Sequence, residues 1–225
     1  VNIMGASKYI MEKLILSKKL DYRVSTARFA NVAFSNGSLL DGFTHRLEKK
    51  QPLSCPIDIK RFFVTPKQSG QICLLATFLG SSGDIFFPKL DFKSDQIYFK
   101  DLAMDFLKKK GFNPFIVKSE EEAKKFNFEN SNKKYPIYFF ETDTSGEKPY
   151  EEFYSEDENY LIDEYFSLGY IKTTDINISF NKILSDFNHV FDTDKFKKSD
   201  VINVIKEYVP SFEHIETGKN LDQKM

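Results

Sequence analysis

Hydrophobic periodicity switches repeatedly between helical and extended spacing over the first 110 residues, and that rhythm restricts the chain to an α/β layering. Residues 5–19 read as a helix, with Met4, Lys8, Met11 and Ile15 on one face at i, i+4, i+7 and i+11. Residues 23–32 alternate like a buried strand. Asn36-Gly37 is a turn, and Ser38 is placed to cap a helix over 39–50. Residues 61–65 are short and β-rich. Pro66 then opens a helix that runs to about Leu79, and Gly80-Ser81-Ser82-Gly83 closes it. Asp84 to Phe87 form a strand stopped by Pro88, and residues 96–99 followed by 101–110 repeat the unit before Gly111. A short charged helix over 120–126, a polar loop over 127–134, a strand over 135–141 and a turn-rich stretch over 142–148 follow. Beyond about residue 155 the character changes. Residues 178–191 and 200–209 read as amphipathic helices with acidic and Asn-rich joints, and Glu156-Asp157-Glu158 reads as a solvated helix start. Two regions are therefore expected: 1–155, and a helical extension over 156–225.

Composition narrows the function. The net charge of -1 over 225 residues provides no basic field for nucleic acid. Twenty-four phenylalanines and eleven tyrosines supply most of the bulky apolar mass, and tryptophan is absent. Cys55 and Cys73 are the only cysteines and are expected to be reduced thiols of a cytoplasmic protein, with Cys73 in the core. No stretch approaches the roughly 20 apolar residues of a membrane-spanning helix, and no basic segment followed by an apolar run marks a signal peptide. The first residue is valine rather than methionine, as in a fragment or a trimmed chain. His45, His189 and His214 lie far apart and share no zinc spacing with the cysteines, so no metal site is expected. Gly218-Lys219 lacks the remainder of a P-loop, and no Gly-x-Ser-x-Gly elbow is present.

Lys8, Asn31 and Arg61 are the polar residues with a claim to chemistry. A lysine in an apolar stripe either snorkels to water or is held for a purpose. Asn31 is either a strand-end cap or a donor and acceptor for a ligand, and Arg61 is either a surface charge or a fork for an anion.

The surrounding motifs resemble the extended short-chain dehydrogenase/reductases, and more narrowly the CapD-like polysaccharide-biosynthesis branch, the UDP-N-acetylglucosamine 4,6-dehydratases. The residues that carry the resemblance are Met4-Gly5-Ala6-Ser7-Lys8, Arg28-Phe29-Ala30-Asn31-Val32, Gly37-Ser38-Leu39, Lys60-Arg61-Phe62-Phe63, Asp84-Ile85-Phe86-Phe87-Pro88-Lys89 and Thr144-Ser145-Gly146-Glu147-Lys148. They occur in the family's order over about 150 residues. The last seventy residues are similar to the tail of the soluble subgroup that makes nonulosonic-acid precursors.

The resemblance implies the second half of a Rossmann-like extended short-chain dehydrogenase fold, with a substrate-binding lobe and a helical C-terminal appendage. It implies a UDP-N-acetylhexosamine as substrate, NAD or NADP as cofactor, and a homo-oligomer when intact. Lys8 would hold the nicotinamide ribose, with Phe29 beside the nicotinamide. Asn31 would bond the sugar nucleotide, Arg61 the diphosphate, Ser38 and Leu39 the uracil end, and Glu147 the ribose hydroxyls. Two departures stand out. Met4 occupies the usual tyrosine position, and a thioether carries no proton to exchange. Thr144 replaces an arginine of the later motif. A dinucleotide loop is missing too, since Gly80-Ser81-Ser82-Gly83 follows a helix rather than a strand. The expectation is thus the C-terminal part of a 4,6-dehydratase, without turnover by itself. Its rivals are a sugar-nucleotide 4-epimerase or reductase, and a non-catalytic nucleotide-sugar-binding module.

Overall fold

The computed structural model describes residues 3–17, 21–142, 152–173 and 178–214. Its elements run α1 (Ile3–Ser17), β1 (Thr26–Ala27), β2 (Asn31–Val32), α2 (Leu39–Glu48), β3 (Leu53–Pro56), β4 (Lys60–Arg61), β5 (Phe63–Val64) and α3 (Pro66–Leu79). They continue with β6 (Asp84–Pro88), β7 (Ile97–Tyr98), α4 (Phe99–Lys109), β8 (Asn113–Val117), α5 (Glu120–Lys124) and β9 (Lys134–Phe140), then β10 (Tyr160–Leu161), β11 (Leu168–Lys172), α6 (Phe180–Phe191) and α7 (Lys198–Tyr208).

One sheet has the order β1-β6-β11-β10, with β1 parallel to β6 and β11 antiparallel to it. A second has the order β3-β9-β8 and is parallel throughout. Two short ladders are separate from both sheets, β2 with β5 in parallel and β4 with β7 antiparallel. Every residue of β6 is buried, as a strand covered on both faces must be. Ile85 and Phe87 enter one cluster with Ala30, Phe62, Val64 and Ile171, while Phe86 enters another with Ile72, Ala76 and Tyr170. That division follows from the two-residue period of a strand. On the second sheet, Leu40 and Phe43 of α2 and Ala103, Phe106 and Leu107 of α4 pack over Leu53, Cys55 and Ile137. The result is an α/β architecture of Rossmann-like kind.

Local signals explain several boundaries. Thr65 caps α3, its hydroxyl accepting from the Gln68 amide while the Gln68 side chain accepts from the Thr65 amide, and Pro66 fills the first turn. Gly80 caps its C-terminal end, and a Cβ there would fall 2.4 Å from the Ala76 carbonyl oxygen and 2.7 Å from the Ser25 Cβ.

Other expectations give way. The single strand over 23–32 is two pieces, because the chain leaves β6 after Arg28 and joins β5 from Asn31. The region after 155 does not open as a helix. Tyr160–Leu161 and Leu168–Lys172 are strands, and β11 completes the β6 sheet with its first four residues buried. Among the described residues there, only α6 and α7 are helical, and Ile183, Ile205, Val209 and Phe212 pack on Ala6 and Ile10 of α1. That contact turns the face with Met4, Met11 and Ile15 outward, leaving the three side chains 61%, 55% and 42% exposed. Cys73 is exposed on α3 and Cys55 is the buried thiol, reversing the expected placement of Cys73; both are free. Strands β3 and β8 were not foreshadowed by the apolar pattern, since each is short and contains a proline.

Candidate functional site

The ladder of β2 and β5 sets Asn31 opposite Phe63, with the Asn31 amide donating to the Phe62 carbonyl at 3.1 Å. After Val32 the chain turns tightly. Phe34 adopts a left-handed φ of 60°, and Gly37 one of 75°. Ser38 then caps α2: its Oγ accepts the Asp41 amide at 3.3 Å, and the Asp41 carboxylate accepts the Gly37 amide at 3.0 Å. As an acceptor in the cap, the Ser38 hydroxyl keeps its own proton available for a ligand.

Ser38 and Leu39 line a cavity of about 310 Å³ with Gly42 and Arg46 of α2, Ser54 and Pro56 of β3, Phe99 of α4 and Phe140 of β9. This is at the small end of ligand sites. Phe99 links the cavity to the other candidates. Its ring centroid lies 6.2 Å from that of Phe63, and the Arg61 guanidinium sits 5.9 Å from it. One Arg61 nitrogen also donates to the Lys60 carbonyl at 2.7 Å, which steadies the fork. Ser38 and Leu39 thus share a cavity wall with Phe99, Arg61 lies over the same ring, and Asn31 pairs with Phe63 beside it.

A larger groove of about 570 Å³ runs along α3 past Leu74, Leu75 and Leu90. Its cation, Lys89, is committed to the carbonyls of Ile162 and Tyr165 at 2.6 and 3.1 Å. It has the weaker claim to a charged ligand.

Lys8 is reached by a different route. Met4, Lys8, Glu12 and Leu16 form one i, i+4 row along α1. Leu16 packs on the cluster of Ala30, Phe62 and Ile85. Glu12 meets Arg28, which directly precedes Phe29. Lys8 is exposed one turn further along the row, and Phe29 is 39% exposed on the β1–β2 connection. Glu147 and Thr144 lie outside the described residues.

The strongest polar cluster was not foreseen. Arg28 bonds Glu12 and Glu158 together, and Glu158 belongs to the run expected to be a solvated helix start. Burial opposes the Arg28 charge, and the hydrogen bonds to Glu158 and Glu12 outweigh it, so its pKa is raised. Burial likewise works against the Glu158 carboxylate, and the Arg28 and Ser155 hydrogen bonds overcome it, leaving its pKa lowered. No sequence spacing announces partners 16 and 130 positions away. The cavity residues Arg46, Ser54, Phe99 and Phe140 were equally silent, being ordinary positions on four separate elements.

Among the described residues, Lys8 and Phe29 are those expected at the nicotinamide of a dinucleotide. No glycine-rich strand–turn–helix for a pyrophosphate occurs among them, since β5 passes into α3 through Thr65-Pro66. No helix among the described residues is long and apolar enough to cross a membrane.

Known proteins resemble this chain in sequence and in fold. The family model described as "Polysaccharide biosynthesis protein" matches residues 1–171. An uncharacterized membrane protein of Methanocaldococcus jannaschii, MJ1061, is 30% identical over 171 residues, covering 73% of this chain and 45% of that protein. A UDP-glucose 4-epimerase of Rickettsia bellii is 33% identical over 95 residues, 40% of this chain and 28% of the enzyme. The X-ray structure of Pen from Bacillus thuringiensis superposes with a TM-score of 0.55 at 24% identity, over 75% of this chain and 47% of that one, a likeness of fold. The chain thus spans less than half the length of these proteins. With the family model matching 171 of its 225 residues, the chain belongs to the polysaccharide biosynthesis protein family, of the short-chain dehydrogenase/reductase-like kind.

Proposed function

We propose that this chain is the substrate-binding part of an NAD- or NADP-dependent enzyme that modifies a UDP-N-acetylhexosamine, and that the whole enzyme is a 4,6-dehydratase. The observation that carries the reading is the shared aromatic wall. Phe99 lines the cavity beside Ser38 and Leu39 and also lies under the Arg61 guanidinium. A uracil ring in the cavity would place its diphosphate toward Arg61, whose planar fork matches phosphate oxygens. The hexose would then extend toward Asn31, with Lys8 on α1 beyond it. The ammonium of Lys8 favours ionisation of hydroxyls held near it.

When bound, the nicotinamide would supply the hydride acceptor and donor. The residues of this chain would bind and orient the sugar nucleotide beside it. The pyrophosphate and adenosine of the cofactor would be held by a segment outside these 225 residues.

The epimerase reading draws support from the Rickettsia relative. Against it stands Met4, which carries no exchangeable proton where a tyrosine would act. A whole protein with a residue able to take the 4-hydroxyl proton elsewhere, and an acid–base pair for C5 and C6, would be a dehydratase.

The test is calorimetric titration of the 225-residue chain with UDP and with NAD. Saturable 1:1 binding of UDP, with no heat from NAD, supports the reading. Absence of UDP binding rejects it.

A further inference from the structure

We propose that Arg28 is a positioning residue for the hexose end of the site. It sets the distance between the Lys8 helix and the Phe29–Asn31 segment without touching the ligand. The inference rests on the reading of the site as a UDP-hexose site.

All five donors of the Arg28 guanidinium are spent inside the protein. Nε donates to Glu12 Oε2 at 3.0 Å, and one Nη to Glu12 Oε1 at 2.7 Å. The same Nη donates to Glu158 Oε1 at 2.6 Å, and the other Nη to Glu158 Oε2 and the Phe153 carbonyl, both at 2.8 Å. The Glu158 carboxylate in turn accepts the Ser155 amide at 2.9 Å. No donor of Arg28 remains for a phosphate. The side chains of the triad are 22%, 14% and 17% exposed for Arg28, Glu12 and Glu158.

Each arm of this fork ends on a different element. Arg28 is itself fixed to the sheet, its amide donating to the Phe86 carbonyl at 2.8 Å. The Glu12 arm grips α1 one turn from Lys8, about 6 Å along the axis. The Glu158 and Phe153 arm grips the segment 152–158, whose Phe153 packs on Phe62 next to the Arg61 strand. On its far side α1 is held by the α6 and α7 cluster through Ala6 and Ile10. Thus α1 is clamped from two directions, and the sheet-side clamp is the residue directly before Phe29.

A lysine at this position has the charge but cannot bridge two carboxylates bidentately. The hexose pocket then loosens while the uracil cavity, built from α2, β3, α4 and β9, keeps its own packing. Misplacement of about 1 Å at a polar site costs an order of magnitude or more.

The experiment measures the affinity of the 225-residue chain for UDP and for UDP-N-acetylglucosamine, and takes the ratio. The wild type should bind the sugar nucleotide more tightly than UDP. Arg28→Lys should retain UDP affinity within about twofold and lose about tenfold of the sugar nucleotide's advantage. Glu12→Gln, which relaxes only the α1 arm, should show the same selective loss, and it serves if Arg28→Lys does not melt cooperatively. An unchanged ratio in the folded variants overturns the proposal, as does equal loss on both ligands or a wild type that binds the two equally. A wild type that binds neither ligand rejects the underlying reading instead.

Discussion

Arg28 and Glu158, 130 positions apart, are joined by two parallel hydrogen bonds of 2.8 and 2.6 Å. This pairing couples folding to pH. The Glu158 pKa is held below its ordinary value, against the pull of burial, by the guanidinium and the Ser155 amide. A carboxyl depressed in the folded state stabilises fully above the unfolded pKa of about 4.3 and loses that contribution as the pH falls through the folded value. Arg28→Met leaves Glu158 and Glu12 half-buried without their cation, at a cost of about 3 kcal/mol near neutrality. In that variant the Ser155 amide still favours the Glu158 carboxylate, but no guanidinium offsets its burial, so its pKa rises relative to the wild type and acidification should relieve part of the damage. Urea midpoints at pH 7, 5 and 3.5 should converge between wild type and variant as the pH falls. A constant gap across the three would show that the pairing contributes nothing to folding.

The electrostatics of Arg61 make a second, functional prediction. Its guanidinium lies over Phe99, a residue that lines the cavity. A charge-assisted contact to a phosphate is worth about 1.5–3 kcal/mol, so Arg61→Ala should weaken UDP binding by roughly ten- to hundredfold. Arg61→Lys should fall between, because an ammonium is a point charge without the fork. Lys60 precedes it on β4 and lies 4.4 Å from the Tyr98 ring, so its side chain takes the opposite face. Lys60→Ala should leave UDP affinity within about twofold. Equal losses at 60 and 61 would mean a diffuse positive field rather than a placed phosphate contact.

How much of this was legible in the sequence depends on whether the signal was local. The Pro66–Leu79 helix was readable because its cap, its first-turn proline and its closing glycine all sit within its own sequence. The same holds for α2 behind Ser38 and for β6 before its proline. Strand β11 was not readable, because Leu168-Gly169-Tyr170 becomes a strand through pairing with Phe86 to Pro88, some eighty positions earlier. Gly169 is where it is for that reason, since a Cβ would fall 2.4 Å from the Phe87 ring. Likewise the α1 stripe was seen, but the periodicity of one helix does not say which face a later pair of helices will cover. At the candidate site, Asn31, Ser38 and Arg61 were expected from the order of the family's motifs. Their aromatic scaffold, Phe63 with Phe99, was found only by the fold.

Strain near the site is expected to be measurable. Phe34 has a φ of 60° and is 56% exposed, so an aromatic residue occupies the left-handed region with little burial in return. That conformation costs a non-glycine residue about 1–2 kcal/mol. Glycine accepts it freely but loses about 0.5–1 kcal/mol more chain entropy on folding. Phe34→Gly should therefore be neutral to stabilising by about 1 kcal/mol, a rise in Tm of about 2–4 °C. If that variant melts several degrees lower, the ring makes a contact worth more than the strain it incurs.

The two thiols offer a direct test of the packing. Cys55 lies in β3 between Leu53 and the α4 side chains, 1% exposed, and burial pushes its pKa up to about 12. A thiol held there is almost wholly protonated at pH 8, and the thiolate is the reactive form. Cys73 faces outward on α3 beside Leu74. A disulfide reagent at pH 8 should therefore titrate one thiol per chain in the native protein, within minutes, and a second only on adding denaturant. Cys73→Ser should abolish the fast phase, and Cys55→Ser should leave it intact while lowering stability, because a hydroxyl replaces sulfur among Leu53, Ile137 and Leu107. Two fast thiols in the folded chain would mean that the β3-β9-β8 sheet opens readily, and with it the cavity beneath Ser38 and Leu39. One fast thiol that survives Cys73→Ser would place the buried cysteine at the wrong position.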